Sequence, residues 1–131
     1  MFGRSRFAAL LGVAVTIATG ASPRPAFAIK EFFEEFKAVY VKPDSAEADD
    51  KALAAEVETA KCNVCHAGSN KKERNTYGNA LAELLDKKED KKNVDKIRKA
   101  LDQVAGMPSA DGGPTFGDLI KQGKLPGGAA K

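Results

Sequence analysis

Apolar residues along this chain recur at helical spacing and show no sustained strand-like alternation. In IKEFFEEFKAVYV, Ile29, Phe32, Phe33, Phe36 and Tyr40 share one stripe, with Glu and Lys between them. The spacing predicts an amphipathic helix over 29–41 whose aromatic face packs on a core. Pro43 ends it, and Asp44 with Glu47 three residues on predicts a reciprocal cap for a second helix. Leu53 and Val57 mark that helix's inner face, and it runs on to Lys61. Asn75 or Thr76 opens a third helix, with Leu81, Leu84 and Leu85 on its face. The run KKEDKK reads as a solvated turn. Val94, Ile97, Leu101 and Val104 form the clearest stripe, and Gly106 stands where a left-handed cap belongs. After the turn-forming MPSADGGP, Thr115 and Asp118 start a short last helix bearing Phe116, Leu119 and Ile120, closed by Gly123. The tail LPGGAAK reads as frayed. The sum is an all-α domain of four to five short helices with a thin core.

The first 28 residues do not belong to that pattern. Arg4 and Arg6 precede FAALLGVAVTIATG, an uncharged run of fourteen residues, and Ala26-Phe27-Ala28 gives a small-x-small ending. This order predicts a secretory signal peptide cleaved after Ala28. The apolar run falls short of the roughly 20 residues of a membrane span. The expectation is therefore a periplasmic or secreted product with no stable membrane insertion once the signal is gone.

Charge reads differently once that segment is set aside. The whole chain carries Lys and Arg at 21 positions and Asp and Glu at 18, but three of the Arg lie in residues 1–28. Eighteen bases then face eighteen acids, and the case for a nucleic-acid partner lapses. Residues 29–60 hold nine acids against four Lys, whereas residues 61–131 hold fourteen bases against nine acids. A positive half of this kind suits docking onto an acidic partner.

That positive half begins with KCNVCHAG, which gathers Cys62, Cys65 and His66, the two cysteines and the one histidine of the chain. A disulfide across so short a loop would stabilise little, so the cysteines point to chemistry. C-x-x-C-H is the attachment sequence of c-type haem. Each thiol adds across one porphyrin vinyl group, and the three-residue spacing lets both sulfurs reach one edge. His66 follows directly, placing an imidazole nitrogen under the ring as proximal iron ligand.

With this motif, the export signal and the helix that leads into it, the chain resembles a small monohaem cytochrome c of the class I kind. The resemblance covers roughly residues 46–68. It implies a cytochrome c-like haem domain over 44–123, one covalent haem c per chain, and a one-electron carrier rather than an enzyme. Residues 29–43 would then be an additional N-terminal helix and 124–131 a flexible tail. The implied partner is a redox protein, and the implied state a monomer. Two features depart from the family: TFGDLIKQG is shorter than its usual final helix, and the aromatic helix is extra.

The opposite face of the iron is left open by the residues. Met107, beside Pro108, is the sole Met outside the signal segment. It either supplies a thioether as distal ligand or fills a gap in the core. Tyr77 is placed to pack on the haem edge or bond a propionate. The alternative function is a five-coordinate c-type haem protein that binds a small gas or peroxide, although no second His offers distal acid–base help. A haem-free thiol site or a zinc site is a third possibility, weakened by the lack of strands and of a fourth ligand.

Overall fold

The computed structural model describes residues 30–69 and 71–129. The predicted signal segment and Ile29 lie outside the described residues. Among the described residues five α-helices follow one another: α1 (Lys30–Tyr40), α2 (Ala48–Ala60), α3 (Thr76–Leu84), α4 (Val94–Ala105) and α5 (Phe116–Lys121). A 3-10 turn, Lys61–Val64, continues α2. Among the described residues there is no β-strand, only the isolated bridges His66–Arg74 and Pro108–Thr115. The protein is all-α.

The central element is α4, which packs against α1, α3 and α5, while α2 packs against α5. Its stripe explains this position: Ile97, Ala100, Leu101 and Val104 are buried, whereas Asp95, Lys96, Arg98 and Lys99 face out. Val94, expected on the same stripe, is 41% exposed in the first turn of α4. On α1 only Phe36 is fully buried, with Phe32, Phe33 and Tyr40 packed around it. Tyr40 donates its hydroxyl proton to the Leu101 carbonyl at 2.9 Å, and Arg98 Nε donates to Glu35 at 2.7 Å. These bonds join α1 to α4 at both edges of the aromatic contact.

Several local expectations are corrected. The Asp44–Glu47 cap does not form: α2 starts at Ala48, and its N-cap Glu47 makes no side-chain cap bond. Ser45 Oγ accepts from the Glu47 N–H instead, and Asp49 and Asp50 supply the negative charge that a helix start favours. Gly106 is not left-handed, having φ −78 and ψ −9. The chain leaves α4 by tight turns, with the Met107 N–H bonded to the Val104 carbonyl, and needs no positive φ there. Gly123 does take φ +70, and Lys124 N–H reaches back to the Leu119 carbonyl, as expected of a glycine-closed helix.

The charged run after α3 is not wholly solvated either. Asp90 is 6% exposed and accepts from the Asp86 N–H at 2.8 Å and from Lys96 Nζ at 2.7 Å. This brings the 86–93 loop onto the start of α4. In place of a frayed tail from 124 onward, Leu125 and Pro126 are buried. Thr115 and Asp118, expected to start the last helix, do so through a full reciprocal cap.

Candidate functional site

Cys62, Cys65 and His66 sit where α2 runs out. Lys61 takes φ +49, the one positive value among the described non-glycine residues, and tightens the chain into the 3-10 turn. Val64 is fully buried and anchors that turn to the core. Its neighbours Cys62 and Cys65 remain partly accessible, and both are free thiols. The His66 N–H bonds the Cys62 carbonyl at 3.1 Å, so one turn of backbone carries all three side chains.

The loop from His66 to Asn75 closes back on the motif. Ala67 N–H bonds the Glu73 carbonyl at 3.0 Å, and Asn75 N–H bonds the Cys65 carbonyl at 3.1 Å. His66 Nδ1 lies 3.1 Å from the same Glu73 carbonyl oxygen. A carbonyl only accepts, so Nδ1 carries the proton, and in the neutral ring Nε2 keeps its lone pair. This is the arrangement by which metal-binding histidines fix their tautomer.

Behind the motif stands α3. Its N-cap Asn75 accepts from Gly78 N–H through Oδ1 at 2.9 Å, and its Nδ2 donates to the Asn63 and Val64 carbonyls at 3.1 and 3.0 Å. A side chain at Gly78 would collide with the Cys65 carbonyl, so a glycine lets the helix lie against the motif backbone. Tyr77 is fully buried, edge-on to Phe36 at 5.9 Å and to Phe116 at 5.2 Å. Its hydroxyl has no hydrogen-bond partner. Burial, with Cys65 and Tyr40 nearby, holds its pKa well above the usual 10.0. Burial, followed by the neighbouring Cys62, pushes the Cys65 thiol up to about 12. Burial thus favours the protonated form of the Cys65 thiol.

Met107 is half-buried against the core, at a groove of about 440 Å³ shared with Asn79, Ala80, Glu83, Pro108 and Phe116. Cys62, Cys65 and His66 are not among the residues that line it. The structure brings the three motif residues together on one turn, and Met107 lines its groove with Thr76, Asn79, Ala80 and Glu83 of α3. Among the described residues no three His, Cys, Asp or Glu side chains are grouped so as to hold a metal ion.

The donor set fits a covalent haem on three counts. Both thiols are free, the histidine presents Nε2, and a buried hydroxyl beside Cys65 lacks a partner. The sequence pattern marks Asn75 or Thr76 only as a helix start and gives Gly78 no role; the N-x-x-G spacing after the motif is the signal available for both. Compared with known protein families, curated proteins and solved structures, the chain matches none.

Proposed function

We propose that the protein is an exported monohaem c-type cytochrome that acts as a one-electron carrier. The observation that supports this most is the hydrogen bond from His66 Nδ1 to Glu73, in a residue that directly follows two free thiols. Cys62 and Cys65 would hold the porphyrin edge as thioethers, and His66 Nε2 would be the proximal iron ligand. Met107 is the candidate for the distal side, provided that its loop closes over the ring. When bound, haem c supplies one-electron exchange at constant bonding. The chain's own part is to hold the ring, exclude water with its apolar core, and keep the imidazole in one tautomer. Fourteen bases from residue 61 onward suit an acidic redox partner.

The test is a pyridine haemochrome spectrum of the full chain, made in cells that carry a c-type haem attachment apparatus. Haem that survives denaturation and acid–acetone extraction, with the band position of two saturated side chains, is the expected result. A denatured chain free of haem overturns the reading.

A further inference from the structure

Asn75 is bonded more fully than a helix cap requires. Capping alone uses Oδ1, as Asn93 does for the Lys96 N–H at the start of α4. Asn75 makes the same bond to Gly78 N–H and adds two donated by Nδ2, to the carbonyls of Asn63 and Val64. Those are the two residues between the cysteines. Its backbone N–H also holds the carbonyl of Cys65, 3.1 Å away. The amide orientation is set by its surroundings, since Oδ1 meets an N–H and Nδ2 meets two carbonyls. From the other side, a Cβ at Gly127 would strike the Asn75 side chain, so the C-terminal loop closes over it.

We propose that Asn75 is the positioning residue of the C-x-x-C-H site, gripping the two peptide carbonyls between the thiols and fixing the turn that presents them. The working signature is then C-x-x-C-H, eight residues, and N-x-x-G, ending at Gly78. Only Gly allows α3 to approach Cys65 closely enough for Asn75 to reach those carbonyls. The inference rests on the haem reading for the purpose of the thiols. The clamp itself is a property of the polypeptide.

Asn75→Asp and Asn75→Ser separate clamp from cap, because both side chains cap helices well but neither donates two N–H bonds. In the haem-free full chain under reducing, native conditions, alkylation of each cysteine is followed by mass spectrometry. The readout is the rate ratio of Cys65 to Cys62, since global unfolding exposes both alike. In the wild type Cys65, which packs on the core, reacts more slowly. Both variants, and Ser alone if Asp abolishes the helical circular dichroism, raise the ratio by about fivefold or more. Asn93→Asp, a cap without a clamp, leaves it unchanged. Wild-type and Asn75→Ser ratios that agree overturn the proposal. Covalent haem yield is measured in parallel. A wild type that takes no haem defeats the cytochrome reading, while the alkylation ratio still decides the clamp.

Discussion

His66 Nδ1 points at the Glu73 carbonyl from 3.1 Å, across a loop closed by the His66–Arg74 bridge. The bond is made to a backbone atom, so it survives any change of side chain at 73. The ring is thereby held in one tautomer by the fold. His66→Ala in the haem-loaded chain is expected to keep both thioethers and lose low-spin iron. Electronic and paramagnetic resonance spectra check this, and a low-spin His66→Ala protein would show that another group is the proximal ligand.

Met107 lines a groove beside α3, and if it is the distal ligand the 106–115 loop must meet the ring. Pro108 and Thr115 bridge the loop, and the Ser109 hydroxyl donates to the Pro114 carbonyl at 2.7 Å. These ties hold the two ends of the loop together. If Met107 is the ligand, the haem-loaded protein has a methionine-to-iron charge-transfer band that Met107→Ala removes. An unchanged spectrum in the variant assigns Met107 to packing alone.

The Tyr77 hydroxyl is the one fully buried side-chain oxygen or nitrogen without a partner among the described residues. An unpaired buried hydroxyl costs about 1–3 kcal/mol. Tyr77→Phe keeps the edge contacts with Phe36 and Phe116 and removes that penalty. In the haem-free chain it is expected to raise stability by about 1 kcal/mol, read from urea denaturation. A loss of stability instead would show that the hydroxyl bonds a buried water.

Sequence spacing predicted the helices well where one stripe met one neighbour. Ile97, Leu101 and Val104 are such a case, since a 3.6-residue period alone decides which residues point to α1 and α3. Ends were harder. Asp44 and Glu47 had the right spacing for a cap, but Ser45 captured the Glu47 N–H first. Asp90 looked like one charge in a solvated run because its partners, Asp86 N–H and Lys96, are set by loop closure and not by periodicity. At the site, the grouping of Cys62, Cys65 and His66 on one turn was legible from their adjacency. The clamp of Asn75 was not, because its bonds span eleven and twelve residues and depend on α3 lying against the turn.

The aromatic helix α1 is part of the core. Phe36 is 1% exposed and touches the rings of Tyr40 at 5.1 Å and Tyr77 at 5.9 Å. Phe36→Ala should cost about 3–5 kcal/mol, the range for a large buried ring. Breaking the partly exposed Glu35–Arg98 pair with Glu35→Gln should cost under about 1 kcal/mol. Chemical denaturation distinguishes the two. Equal, small effects would mean that α1 is held by its polar edge and can detach from the bundle.

Acid should loosen the protein through three carboxyls. Asp90 is held below its ordinary 3.8 by the Lys96 hydrogen bond and then by the Asp86 N–H. Asp86 is lowered by the Glu89 and Lys88 N–H groups, and Asp118 by the Thr115 hydroxyl and N–H. A carboxyl lowered in the fold binds its proton more readily when the chain is unfolded. Its contribution is complete above 3.8 and is lost as pH falls through the lowered folded value. The urea midpoint of the wild type should therefore be flat with respect to these groups well above 3.8 and decline below it. Asp90→Asn keeps an acceptor for the Asp86 N–H but not the charge facing Lys96. Such a variant starts lower at neutral pH and declines less steeply in acid, converging on the wild type. Parallel curves for the two proteins across this range would mean that the Asp90–Lys96 bond adds nothing to folding.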